Sequence, residues 1–136
     1  MPYRAFPDNT GDFLYCVFLN VQFSLPKERS APIDRYECII DSGATNCLFH
    51  ADIARRLGLD LKSGTQQWTN GIGGLEETWL HDVMLHLPGG PVRVSAGFKD
   101  NLSVAGLLGM RGFFEHFNVG FDSDLKECVL ERVYWT

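Results

Sequence analysis

The stretch Cys38-Ile39-Ile40-Asp41-Ser42-Gly43-Ala44-Thr45 constrains this chain more than any other. A β-branched apolar run has to bury both its faces, so it reads as an interior strand, and the residue leaving its end is held rigidly. Ser42 and Gly43 then permit a tight turn that leaves the Asp41 carboxylate facing a cleft. An Asp that opens a turn ordinarily just bonds the backbone of that turn, so the surrounding chain has to decide between the two readings.

The surrounding pattern is dense in strands. Residues 13–23 predict a long strand, residues 25–32 a loop carrying two prolines, and residues 33–40 the strand that ends at Asp41. Residues 45–50 lead into a short helix over 51–57, where Ile53 and Leu57 share a face, Arg55 and Arg56 suit the helix C-terminus, and Gly58 suits a left-handed cap. Residues 77–87 and 92–98 flank Pro88-Gly89-Gly90-Pro91 as a hairpin, residues 103–108 form a short strand, and residues 117–121 and 127–134 pair across a polar loop. Between Trp68 and the apolar run from Thr78, Thr69-Asn70-Gly71-Ile72-Gly73-Gly74 reads as a glycine-rich hairpin tip. The expectation is an all-β domain, closed or sandwich-like, with one or two short helices, preceded by a loose polar segment over residues 1–10.

Three of these features occur in a telling order: the Asp41 loop, the glycine-rich tip, and Gly106-Leu107-Leu108-Gly109-Met110-Arg111-Gly112-Phe113-Phe114 followed by Phe117-Asn118-Val119-Gly120-Phe121-Asp122. Together they resemble the retropepsin-like family, the one-domain aspartic proteases of retroviruses, retrotransposons and some bacteria. The resemblance implies an acid-protease barrel with one lobe per chain, spanning residues 1–136 as a single domain. It implies Asp41 as the catalytic residue, Ser42 and Gly43 as the ties between two active loops near a twofold axis, and Ala44 as the residue that leaves room for substrate. Gly71, Ile72, Gly73 and Gly74 would form the flap over an extended peptide. Two positions depart from the retroviral pattern, with Thr45 in place of an Asp and Met110 in place of an Arg, so both halves of one ion pair are missing. Arg111 stands where retrotransposon-type members often carry Asp.

Peptide hydrolysis needs an activated water and an acid for the leaving nitrogen, and two carboxylates sharing one proton supply both. The loops at Asp82, Asp100 and Asp122 lack the apolar strand and small-residue turn that surround Asp41. A two-lobed monomer is therefore excluded, and the second Asp41 has to come from a homodimer. The reading is an aspartic endopeptidase acting on peptide or protein substrate. The alternatives are a catalytically silent peptide-binding or assembly module on the same fold and, in a third class, a ligand-binding barrel with an enclosed apolar cavity.

Composition narrows the partners. A net charge of −5 and a pI near 5.2 argue against a nucleic-acid surface, and the apolar runs fall short of the roughly 20 residues of a membrane span. No secretory leader is read at the start, and Cys16, Cys38, Cys47 and Cys128 lack a Cys-x-x-Cys spacing, so reduced thiols and a cytoplasmic setting are expected. His50, His81, His86 and His116 show no metal-binding spacing and are expected on the surface or at caps, with no metal or organic cofactor required. Phe13, Phe18, Phe23, Phe98, Phe113, Phe114, Phe117 and Phe121 are expected in the core. Trp68 and Trp79 are expected to pack beside the hairpin tip, and Trp135 to cover a dimer partner.

Overall fold

The computed structural model describes residues 1–71 and 74–134, residues 69–71 by their backbone alone. The strands are β1 (Arg4–Pro7), β2 (Phe13–Cys16), β3 (Phe18–Ser24), β4 (Tyr36–Ile40), β5 (Leu48–His50), β6 (Thr65–Gly71), β7 (Gly74–Leu87), β8 (Gly90–Lys99), β9 (Gly106–Leu108), β10 (Phe117–Asp122) and β11 (Glu127–Arg132). Seven of them form one sheet in the order β3-β4-β9-β5-β8-β7-β6. Because β3 also pairs with β7, that sheet closes on itself and leaves β6 projecting as the outer arm of a hairpin. The protein is mainly β, one closed seven-stranded sheet beside the two-stranded sheets β1-β2 and β10-β11.

The closure follows from the apolar alternation. On β8, Val92, Val94, Ala96 and Phe98 are buried while Arg93 and Ser95 are not, and Val83, Leu85 and Leu87 of β7 supply the matching face. Phe23, Phe49 and Phe98 fill the middle, with the Phe23 and Phe49 rings edge-to-face at 4.7 Å, so the barrel interior is occupied by side chains. Pro88 and Gly89 turn β7 into β8, Gly89 at φ 88° and Gly90 at φ 131°, conformations open to glycine.

Helix α1 (Ala51–Arg56) forms where expected, for local reasons. His50 Nδ1 accepts the Asp52 N–H at 3.0 Å at its start, Ile53 is buried, and Gly58 at φ 81° closes its end while the Leu59 N–H donates to the Ala54 carbonyl at 2.9 Å. Arg55 reaches from α1 to Asp52 at 2.8 Å and to Asp100, beyond β8, at 2.7 Å, which holds the Asp100 carboxyl below its ordinary range.

Several expectations need correction. The first ten residues are not loose: β1 pairs antiparallel with β2, and the Met1 amino group and carbonyl bond Cys128 at 2.8 and 2.7 Å. The turn between β1 and β2 is built by Asp8, whose Oδ1 accepts from Thr10 and Asp12, and these partners are invisible to a periodicity argument on a four-residue strand. The strand over residues 13–23 breaks at Val17, where the chain passes from one sheet to another, and the strand over 33–40 begins only at Tyr36. Besides α1, the helices among the described residues are single 3-10 turns, Leu61–Ser63 and Phe114–His116.

Phe23, Phe98, Phe113 and Phe117 are core residues, but Phe13 and Phe121 are about half exposed, on the two small sheets β1-β2 and β10-β11. His81 is buried and bonds the Leu61 carbonyl at 2.7 Å, so it is neither a surface nor a capping residue. All four cysteines are free thiols; burial pushes Cys38 up to about 12 and Cys47 to about 11. Among the described residues no helix is long and apolar enough to cross a membrane.

Candidate active site

Asp41 leaves the end of β4, which lies parallel to β9 with Ile40 opposite Leu108. Its N–H donates to the Leu108 carbonyl at 3.0 Å, its carbonyl accepts from Ala44 at 3.1 Å, and its Oδ1 accepts the Gly43 N–H at 2.9 Å. Backbone direction, turn and carboxylate orientation are thus fixed by three separate bonds, and the half-buried side chain stays accessible. Ser42 and Gly43 are exposed on the turn and Ala44 is half-buried behind it.

The segments that carry Thr45 and Met110 are joined through their backbones. The Met110 N–H donates to the Ala44 carbonyl at 2.8 Å and the Arg111 N–H to the Thr45 carbonyl at 2.9 Å, with Asn46 and Arg111 bridged in parallel. This close approach is possible only because Gly109 has no side chain: a Cβ there would lie 2.5 Å from the Asn46 carbonyl oxygen and 2.6 Å from that of Ala44. Both neighbours are backbone and cannot swing aside. Gly109→Ala is expected to cost roughly 1–3 kcal/mol in a urea titration, as overpacking does, and to displace the Asp41 loop. An unchanged midpoint would show that the two loops part freely.

Two open clefts flank the Asp41 turn. One, of about 470 Å³, is lined by Tyr3, Tyr15, Ile39, Asp41, Leu107 and Phe121 among others. The other, of about 360 Å³, holds Gly43, Ala44, Thr45 and Leu48 on one side and Gln67, Thr78 and Lys99 on the other, and Leu107 contributes to both. The wall of Gln67 and Thr78 belongs to the β6–β7 hairpin, where Gly71 stands opposite Gly74 in register. Of the expected flap residues, Ile72 and Gly73 lie outside the described residues, as does Trp135; Trp68 is exposed and Trp79 half-buried on that hairpin. Ile39 and Leu107 lie inside the quoted motifs, which gave them no cleft role, whereas Lys99 and Tyr15 are cleft residues that carry no local signal in the sequence. Among the described residues no cluster of three His, Cys, Asp or Glu is placed to hold a metal.

The family model for aspartyl proteases matches residues 34–111, which contain the Asp41 loop, the β6–β7 hairpin and Gly109. The chain belongs to this family, and its fold is retropepsin-like, with one lobe per chain. Among solved structures it is similar to a retropepsin-like aspartic protease from Rickettsia conorii, at TM-score 0.61 and 16% identity over 91% of this chain and 96% of that one. It is also similar to EIAV protease complexed with the inhibitor HBY-793, at TM-score 0.51 and 18% identity over 75% and 86% of the two chains. A third is the retroviral protease-like domain of Ddi1 from Leishmania major, at TM-score 0.53 and 15% identity over 85% and 90%. No curated protein matches the chain.

Proposed function

We propose that this protein is an aspartic endopeptidase that works as a twofold homodimer, each copy supplying one Asp41. The observation that carries the reading is the presentation of Asp41, an accessible carboxylate pinned by the Gly43 and Leu108 backbone between two clefts, in a chain of aspartyl protease family. In the pair, the ionised carboxylate takes a proton from water as its oxygen attacks the scissile carbonyl. The protonated partner hydrogen-bonds the carbonyl oxygen, and the leaving nitrogen receives a proton as the C–N bond breaks. Ser42 and Gly43 tie the two loops at the axis, Ala44 leaves space beside the carboxylate, and the hairpin tip around Gly71, Ile72, Gly73 and Gly74 closes over the peptide. Residues 1–136 act as one such unit, with no metal or organic cofactor in this chemistry.

The test is hydrolysis of a denatured mixed-protein substrate from pH 3 to 8 across a range of protein concentration. Activity per chain is expected to rise with concentration and then level off as sedimentation shows the dimer filling. The rate is expected to be bell-shaped on the acidic side of neutral, because only the singly protonated pair is competent. A rate still climbing steadily at pH 8, or one independent of dilution below the dimer range, would reject the reading. Absence of cleavage by a folded dimer would instead favour a silent peptide-binding module.

A further inference from the structure

The cleft that holds Ala44, Gln67 and Thr78 does not end at the hairpin. A second cleft of about 320 Å³, lined by Leu61, Lys62, Trp79 and Asn101 among others, lies beyond it, and Glu76 and Lys99 line both. These two residues form an ion pair, so the partition between the inner and outer clefts is a Lys–Glu contact. The Lys99 side chain is only 11% exposed and that of Glu76 34%, which sets the pair apart from the other ion pairs of Lys and Arg, where both partners are about half exposed or more.

An ammonium offers three donors and no acceptor, and a carboxylate only accepts. Side by side, they present a donor end and an acceptor end with no net charge. A charged side chain beside this neutral pair gains from one member what it loses to the other and still gives up its hydration, which disfavours both signs in a site partly shielded from water. A carboxamide matches both ends, its carbonyl oxygen accepting from Lys99 and its NH₂ donating to Glu76. We propose that the Lys99–Glu76 pair is the specificity determinant of a substrate subsite that takes a Gln or Asn side chain of the bound peptide. The inference rests on the reading of Asp41 as the cleavage centre. In an extended peptide, side chains on one face recur every second residue, roughly 6.5–7 Å apart. The residue two places further out therefore reaches the outer cleft, where half-buried Trp79 supplies an apolar wall.

The experiment uses the Asp41→Asn protein as a non-cleaving trap for a displayed library of random octapeptides, alone and combined with Lys99→Met or Glu76→Gln. The expected result is enrichment of Gln and Asn at one position. Lys99→Met leaves Glu76 and turns that preference toward Lys and Arg; Glu76→Gln leaves Lys99 and turns it toward Asp and Glu, each by about tenfold in the ratio, as a partly buried charged hydrogen bond allows. The two substitutions preserve side-chain length and act in opposite directions, so either one decides if the other fails to fold. No amide preference, one unmoved by the substitutions, or no peptide bound by the folded trap overturns the proposal. Wild-type protein is given the selected peptides in parallel: amide-selective binding without cleavage would sink the protease reading and leave the subsite standing, and cleavage with no amide preference would do the reverse.

Discussion

Asp41→Asn is expected to lower peptide-bond cleavage by about 10³-fold or more, in the range that loss of a general acid–base pair produces, while leaving the fold intact. The substitution is nearly isosteric, and the structure explains why the loop survives it. The bonds that set the turn are the Asp41 N–H to Leu108, the Ala44 N–H to the Asp41 carbonyl, and the Gly43 N–H to Oδ1, and an Asn retains all three. What it cannot do is exchange a proton with water and a second carboxylate. The measurement is kcat on a selected peptide beside a thermal melt and a sedimentation profile. Cleavage within a few-fold of wild type, by protein as stable and as dimeric, would remove Asp41 from the reaction.

The contrast between Asp41 and its surroundings says what a sequence of this kind makes legible. The placement of Asp41 at a strand end beside a cleft could be read because its signal is local: an apolar β-branched run, an acid and a small-residue turn all lie within eight residues. Helix α1 was legible for the same reason, since Ile53, the arginines and Gly58 are neighbours along the chain. Strand β1 was not, because four exposed residues become a strand only through β2 and through the Asp8 side chain that builds the turn between them. The need for glycine at position 109 was equally hidden. Its cause is the approach of two carbonyls more than sixty residues earlier, with a backbone that requires no unusual φ. The exposure of Phe13 and Phe121 follows from their placement on two-stranded sheets outside the barrel, a topology that counting aromatic residues cannot supply. Lys99 comes to the cleft at the end of β8, opposite His50 of β5, where the β6–β7 hairpin brings Glu76 to it, and neither neighbour is near it in sequence.

Phe49→Ala is expected to have the largest effect on stability, about 3–5 kcal/mol. Strand β5 is only three residues long, yet it pairs with both β8 and β9 and so joins those two strands within the closed sheet. Phe49, fully buried, packs edge-to-face on Phe23 at 4.7 Å and tilts against Phe98 at 5.8 Å. Its ring also occupies the space beside Gly106, where a Cβ would come within 2.3 Å of the Phe49 Cδ1. Truncation loses the ring's burial and opens a cavity against rigid strands that cannot collapse, a large part of the 5–15 kcal/mol typical of a whole domain. The melting temperature should fall by roughly 10–20 °C for a chain of this length. Because β9 ends at Leu108 and leads into Gly109, which together hold the Asp41 loop, cleavage should fade at temperatures where the wild type is still active. Gly106→Ala supplies the control: alone it should destabilise by overpacking, whereas in the Phe49→Ala background its methyl group enters the vacated space and should cost little or stabilise. Additive effects in that double-mutant cycle would mean that Phe49 and Gly106 are not in contact, and that the ring is not what sets the distance between β5 and β9.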